Sequence, residues 1–396
     1  MFQAMYAIKI ELKVNNKEQT LLRKHAGFAR FVYNYGLALI QGLERDGIAG
    51  GYGKKIKAIK KVLTNYTKKQ QEFQWMSKLS SKVYQSSLQA LENAYRRWGQ
   101  GIADRPRFKR RKDGESFTVY DSNGKILLPY GKRIKIPTLE TFRLKEALPC
   151  SYCTQTFTIS HHAGKWFVSF AVDAQKIPPT YHPEEKVGID LGVKCFATLS
   201  DGTSVEAPKP MKKAKTKLAK LQWRNRKKQL GNRRLSVKQS NRAKKYFDSL
   251  AKQHDRVTSQ RQDFLHKLTT NISRKYYRIR IEDLNVSGML ANRKLSAAIS
   301  DLGFYEFRRQ LTYKSQVYGT KVELVDRWYP SSKTCCMCGA KHDGLKLSDR
   351  IYKCINFSCV AHTIMLDRDL NAAFNLLNAP CEYVRLAQPE DTSVDK

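Results

Sequence analysis

The stretch that most constrains this chain is "KTCCMCGAKHDGLKLSDRIYKCINFSC", near the C-terminus. It supplies Cys335-x2-Cys338 and Cys354-x4-Cys359, with residues 339–353 between the pairs. Two such knuckles bring four thiolates within reach of one ion, which is the closed tetrahedral donor set of a structural zinc. A segment stapled in this way must fold back on itself as a small lobe. The second knuckle is wider than the common two-residue spacing. Cys336 stands beside Cys335 and can exchange roles with it, and His362 is a substitute donor. Cys150-x2-Cys153 has no second pair nearby and reads as two buried thiols.

Thiolate donors persist only where cysteines stay reduced. The N-terminus, "MFQAMYAIKIELKVNN", alternates like a strand and lacks the apolar core of a secretion signal. No apolar run reaches the length of about 18 residues that a membrane-spanning helix needs. A cytoplasmic chain is therefore expected, and its nine cysteines favour metal binding over disulfides. Lys plus Arg total 73 against 35 Asp plus Glu, a formal net charge of +38. A surface so positive repels itself and needs a polyanionic partner. Nucleic acid comes first, because each neutralised phosphate also releases counterions, and no membrane partner is expected.

Tyr6, Ile8, Ile10, Leu12 and Val14 recur with period two, which predicts a strand with one buried face. In "NNKEQ", Asn16 reads as a helix cap with Gln19 three residues on, a variant of the capping box. Helical patterns run on to about residue 100. Tyr84, Leu88, Leu91, Tyr95 and Trp98 step by four and three and read as a core-facing helix stripe. "RPRFKRRKDG" is a dense basic turn. Arg105, Arg107, Lys109 and Arg110 around Phe108 suit a phosphate backbone or an unstacked base better than a merely solvated charge run. The strand-like segments that follow can partner the N-terminal strand. That makes residues 1–14 and 114–180 one β domain, with 15–113 a helical insertion.

"KIPPTYHPEEK" has the Pro content of a linker. Beyond it, "VGIDLGVKCFATLSDGTSVEAP" carries short strands closed by an Asp-Gly turn at 201 and 202. Residues 211–275 switch to a very basic helical pattern, with Leu218 and Leu221 in a first run. Tyr246, Leu250, Val257, Phe264 and Leu268 form a stripe in a second, and together they read as an antiparallel helical hairpin. "YRIRIED" and "KVELVD" resume strand character. The polar tail, 384–396, is expected to be disordered.

Three carboxylates stand out against this basic background. Asp190 ends the strand "VGID", Glu282 ends "IRIE", and Asp367 and Asp369 head the apolar helix "RDLNAAFNLL". An Asp at a strand end is often only a turn residue, and one at a helix start is often only a cap. Asp367 and Asp369 are two apart and cannot share a helix face, so one caps while the other is free to coordinate. Asp283 points to the opposite side of its strand from Glu282. With the two strands side by side and the helix packed on them, three carboxylates meet in the manner of an RNase H-like nuclease.

At these residues the chain resembles the TnpB family, transposon-encoded relatives of compact type V CRISPR effectors. The resemblance runs through "LLRKHAGFARFVYN", "RPRFKRRKDG", "VGIDLGVKCFATLSDG", "IRIEDLNVSGM", "YPSSKTCCMCG" and "DRDLNAAFNLL", in that order. It implies an α+β multidomain protein: a RuvC-like nuclease domain (181–330 and 366–383) with a zinc-binding lobe (331–365) inserted before its last acidic segment. It also implies a wedge-like β-barrel interrupted by the helical recognition region. Carried over by motif, Asp190, Glu282 and Asp369 are the catalytic carboxylates holding Mg2+, and Cys335, Cys338, Cys354 and Cys359 hold zinc. Asp369 is preferred to Asp367 because the family's catalytic Asp lies two residues before the Asn of the motif, here Asn371.

The implied activity is cleavage of double-stranded DNA next to a short flanking motif, directed by a guide RNA from the element's end. The implied setting is the nucleoid of a bacterium or archaeon. Recognition helices would read the flanking motif, and Gln85 is the residue singled out for a base-edge contact, since Gln pairs with adenine. Two rival readings remain at this level: a guide-RNA-bound repressor that does not cut, and a strand-joining transposase. The latter's acidic triads usually run Asp, Asp, Glu, whereas the order here is Asp, Glu, Asp.

Overall fold

The computed structural model describes residues 5–120, 132–136, 139–147, 156–173, 180–231, 236–346 and 348–388. Cys150 and Cys153 lie outside them. The chain divides into two compact units, one spanning Met5–Asp173 and one formed by the chain after it.

The first unit starts with β1 (Met5–Lys13), whose alternation turns Ile8, Ile10 and Leu12 toward the core. Three helices follow, α1 (Asn16–Arg45), α2 (Tyr52–Asn65) and α3 (Ser81–Gly99), and then β2 (Glu115–Tyr120), β3 (Arg133–Ile136), β4 (Glu140–Leu144), β5 (Thr156–His162) and β6 (Lys165–Asp173). The strands form one antiparallel sheet in the order β2-β5-β6-β1-β4-β3. Among the described residues β2 and β3 are its edges, so the expected barrel is realised as an open, half-barrel sheet. β1 draws its partners β6 and β4 from far along the chain, with Ile8 opposite Phe170 and Leu12 opposite Leu144. Phe117, Val119, Phe157, Ile159, Trp166 and Val168 meet the apolar faces of α1 and α3 in one core. The stripe from Tyr84 to Tyr95 is buried there, with Trp98 packed at its rim.

One local expectation is corrected. The capping box of α1 closes a residue earlier than Asn16 and Gln19. The Asn15 side chain accepts the Glu18 N–H at 2.9 Å, and the Glu18 carboxylate accepts the Asn15 N–H at 2.7 Å. A charged carboxylate is the stronger acceptor and also suits the positive end of the helix, so it outcompetes the Gln amide.

The second unit is built on a mixed sheet. Its elements are β7 (Glu184–Leu191), β8 (Ala197–Leu199), β9 (Ser204–Val205), α4 (Pro210–Arg224), α5 (Asn241–Lys275) and β10 (Tyr276–Glu282). There follow α6 (Val286–Ala291), α7 (Ser296–Leu302), α8 (Phe304–Tyr318) and β11 (Lys321–Val325), then β12 (Ile351–Tyr352), α9 (Val360–Thr363), β13 (Leu366–Asp367), α10 (Arg368–Leu377) and β14 (Val384–Leu386). β7 begins inside the segment read as a linker to residue 186. The sheet order is β14-β11-β10-β7-β8-β9, with β7, β10 and β11 parallel. Parallel strands need long crossovers, and α5 and α8 supply them. Val187, Ile189, Ile279, Ile281, Val322 and Leu324 face Leu265, Ile272, Phe307 and Leu311 on these helices.

The other face of the sheet carries α10. Gly188 lies on it, and a Cβ there would meet the Ala373 carbonyl at 2.1 Å and the Leu377 nitrogen at 2.6 Å. The helix backbone therefore rests directly on β7. α4 packs against α5, and its first turn is held by Asp301, whose carboxylate accepts the Met211 and Lys212 N–H groups at 3.0 and 3.1 Å.

The expectation of disorder from 384 is overturned for its first residues. Val384, Arg385 and Leu386 pair antiparallel with Val325, Leu324 and Glu323. The open edge of β11 would otherwise present unpaired N–H and C=O groups, and a polar segment can satisfy them as well as an apolar one. Residues 389–396 lie outside the described residues.

Adding one methyl at the α10 contact should be costly. Gly188→Ala is expected to destabilise the second unit by about 1–3 kcal/mol, since helix or strand must shift. Gly27→Ala is the control: its Cβ meets nothing within 4 Å, and removing a helix-interior glycine should stabilise α1 by roughly 0.5–1 kcal/mol. Thermal unfolding of both variants, followed by calorimetry, checks the opposite signs.

Candidate active site

The register of β7 on β10 places Asp190 and Glu282 together. Ile189 lies opposite Ile281, so the next residue of each parallel strand emerges at the carboxyl end of the sheet, on the face that carries α10. Ligands of open α/β sheets bind at that end. α10 brings the third carboxylate. The Asp367 side chain accepts the Leu370 N–H at 2.9 Å and is the N-cap, which leaves Asp369 in the first turn without that duty. All three carboxylates are half-buried, while Asp367 is exposed.

Burial pushes the Asp190 carboxyl up to about 7, helped by the charges of Asp369 and Glu282 and opposed by Arg368. Glu282 is pushed up to about 6, by burial and then by Asp283, with Arg327 opposing. Asp283 itself points away, as the strand alternation requires, and is held by Arg308 at 2.6 Å, Arg385 at 3.1 Å and Arg327 at 3.6 Å. A half-buried group of mutually repelling carboxylates is an all-oxygen donor set of the kind that suits a hard divalent cation. The oxygens of the three are not drawn within 4.8 Å of one another. A site that spreads its donors over two ions about 3.5–4 Å apart does not require them to be.

The four cysteines do converge. Among the described residues, Cys335, Cys338, Cys354 and Cys359 form the one group of His, Cys, Asp or Glu donors whose ligand atoms all lie within 4.8 Å. Cys335 Sγ lies 3.8 Å from Cys359 Sγ, and Cys338 Sγ lies 3.5 Å from Cys354 Sγ. Four sulfurs bound tetrahedrally at ~2.3 Å would stand about 3.8 Å apart, so the set fits zinc. The two open alternatives close. His362 and Cys336 both stand outside the converging set: His362 Nδ1 lies 2.7 Å from the Cys354 carbonyl, and the Cys336 N–H donates to Asn371 Oδ1 at 3.0 Å.

That last bond belongs to a set the sequence reading missed. Asn371 Nδ2 donates to the Thr334 carbonyl at 2.8 Å, and Asn375 Nδ2 donates to Ser331 at 2.7 Å and Thr334 at 2.6 Å. Both amides are buried. Two asparagines four apart inside an apolar helix were the available signal, because Asn is a poor helix former and that spacing shares one face. Arg280 holds the other end of α10, donating to the Leu377 and Ala379 carbonyls at 2.8 and 2.9 Å while paired to Glu323 at 2.7 Å.

In the first unit, the basic turn is pinned to α1. Asn34 exchanges two hydrogen bonds with the Lys109 backbone, at 2.8 and 2.9 Å. The Lys109 ammonium lies over the Tyr33 ring, and burial lowers its pKa. Arg105 pairs with Glu44 at 2.6 Å and Arg110 with Asp113 at 3.2 Å, and both remain exposed, as do Arg107 and Phe108. Gln85 is also exposed, on the flank of α3 away from its buried stripe.

Comparison with known proteins agrees with this construction. The family model described as "Probable transposase" matches residues 169–293, and "Cas12f1-like, TNB domain" matches 304–376. A "Helix-turn-helix domain" model matches 1–43, although from Met5 on that segment folds as β1 and most of the single long helix α1. A Streptomyces pristinaespiralis protein named "Putative RNA-guided DNA endonuclease" is 33% identical over 388 residues, 96% of this chain and 90% of its own length. "Putative RNA-guided DNA endonuclease InsQ" of Escherichia coli (strain K12) is 32% identical over 393 residues, 95% and 92% of the two chains. A solved Cas12f1-sgRNA-target DNA complex superposes with a TM-score of 0.57 at 12% identity, over 95% of this chain and 99% of that one, a likeness of fold.

Relatives matched over nearly the whole chain carry that activity in their names, which gives the class: the protein is an endonuclease. Sharing nearly its full length with these relatives, the chain belongs to the TnpB family.

The raised carboxyl groups make stability depend on pH in a definite direction. The folded state holds protons on Asp190 to about pH 7, whereas an unfolded Asp loses its own near ~4, so stability falls as pH rises through that window. With zinc retained and no magnesium added, Asp190→Asn should gain on the order of 2–4 kcal/mol over the native chain at pH 8. The gain should shrink by about 1.4 kcal/mol for each pH unit below 7, over the range in which zinc stays bound. Urea midpoints across the range measure it, and a difference flat with pH would contradict the assignment.

Proposed function

We infer that this chain is an RNA-guided DNA endonuclease: it cuts double-stranded DNA complementary to its guide RNA, beside a short flanking motif. In this reading the second unit carries a RuvC-like nuclease domain, and Asp190, Glu282 and Asp369 are its catalytic carboxylates. The observation that carries the reading is the register of β7 on β10, with α10 seated on Gly188, which sets the three acids at one end of one sheet. Guide RNA and target DNA as partners are supported by the named activity of the relatives and by the complex whose fold this chain shares.

The residues divide the work as follows. Asp190, flanked by the other two acids, would hold divalent cations together with them. Glu282 and Asp369 approach it from the neighbouring strand and from the helix. When bound, two magnesium ions would activate water and stabilise the leaving oxygen of the phosphodiester. Cys335, Cys338, Cys354 and Cys359 would hold a structural zinc. The charge of +38 serves the nucleic acids, since A-form heteroduplex is gripped through its backbone rather than its bases. Arg105, Arg107, Phe108, Lys109 and Arg110 are one proposed track. The basic helices α4 and α5 are another, where Trp223 stands exposed with the Arg226 guanidinium 4.5 Å from its ring centroid. Gln85 is proposed as a base-edge contact for the flanking motif. No helix among the described residues is long and apolar enough to cross a membrane, and the nucleoid is the proposed place of action.

The test uses the full chain with its co-purifying RNA, a plasmid bearing the matching target, and magnesium. The native complex should linearise the plasmid. Asp190→Ala should lower the single-turnover rate by roughly 10³-fold or more while target affinity in a gel-shift assay stays unchanged. A native complex that binds the target in magnesium without ever breaking it would replace this reading with that of a guided repressor.

A further inference from the structure

We propose that Asn371 and Asn375 make the cysteine lobe a metal-dependent clamp on the catalytic helix, so that zinc loading sets the position of Asp369. The proposal rests on the assignment of Asp369 as a working carboxylate. Its observations are otherwise independent of nucleic acid and of the guide.

The two asparagines share one face of α10, and both are buried, Asn371 completely. Four hydrogen bonds leave that face, and all four end on backbone groups of residues 331–336, the segment that enters the first knuckle. The contacted groups belong to Ser331, Thr334 and Cys336, and Cys335, between the last two, is a member of the thiolate cluster. Backbone carbonyls and amides can meet two fixed side-chain amides only while the knuckle holds its closed shape. That shape depends on the metal, because without it the sulfurs take up protons and no bond joins the two knuckles. Further along the lobe, the Arg368 guanidinium donates to the Lys346 and Asp349 carbonyls, at 3.0 and 3.2 Å. Asp369 sits between Arg368 and Asn371, so its backbone is gripped from both sides by the lobe.

From Ala373 onward the helix has a second hold. Gly188 seats its backbone on β7 at Ala373 and Leu377, and Arg280 binds the Leu377 and Ala379 carbonyls. Loss of the clamp would therefore loosen the half of α10 that bears Asp369 and leave the half on β7 seated. Asn371 and Asn375 are positioning residues, acting on the reaction through Asp369.

Hydrogen exchange of the full chain, with and without its RNA, reads the coupling directly. Extracting zinc should speed amide exchange in residues 369–372 by roughly tenfold or more, as buried amide bonds are lost, with residues 373–377, β7 and β10 unchanged. In the Asn371→Ala/Asn375→Ala variant these amides should already exchange fast with zinc bound, and extraction should add nothing. Asn371→Asp keeps the acceptor for the Cys336 amide and loses the donor to Thr334, so it should fall between. The same variants should retain zinc and bind target normally, yet need more magnesium for half-maximal cleavage.

Zinc extraction that loosens the knuckle and leaves α10 exchange as it was overturns the proposal. So does a double variant whose α10 exchange and magnesium requirement match the native chain. A native chain that shows the coupling and never cuts DNA upholds the clamp and refutes the assigned activity.

Discussion

The proposed active site hangs on the hydrogen-bonded pairing of β7 with β10 and on the absence of a side chain at Gly188. Parallel register decides that Asp190 and Glu282 end side by side, and a slip of one residue would turn either to the opposite face. Gly188 then lets the backbone of α10 lie against β7, closer than any Cβ would permit. The third carboxylate is delivered by this close approach.

The site works against the stability of the fold that holds it. Burial raises the carboxyl groups of Asp190 and Glu282, with added push from Asp369 and Glu282 on the first and from Asp283 on the second, in a chain whose other ionisable groups are mostly basic and exposed. Neighbouring cations temper the cost without cancelling it. Arg327 and Arg368 lie close enough to oppose the shifts, while Asp283 beside the site is neutralised by three arginines. The long-range positive field gathers polyanions, and the short-range negative pocket is reserved for cations. Strain of this kind is expected where function outranks stability.

Much of the construction was legible in advance, and the parts that were not share a character. Strands ending at Asp190 and Glu282, the stripe of α3, the two cysteine knuckles and the capping role of an Asp at the start of α10 all follow from periodicity and spacing. The capping box was placed a residue late, because Asn15 with Glu18 and Asn16 with Gln19 differ only in the strength of an acceptor. β14 is hidden in the sequence because it is three residues long at the head of a polar tail, and the need it meets lies on another strand. Asn371 and Asn375 were visible as letters, but their partners are backbone groups, which carry no mark in a sequence.

Local backbone chemistry, then, was decided by the amino-acid sequence alone: where strands and helices begin and end, which faces are apolar, and which thiols can share an ion. These are effects of neighbours a few residues apart. The tertiary structure alone decided which strands pair and in what register, whether the three acids meet, and what holds the helix that carries the last of them. Those outcomes depend on contacts between segments far apart in the chain, where close packing and hydrogen bonding select one arrangement from many that the same local patterns would allow.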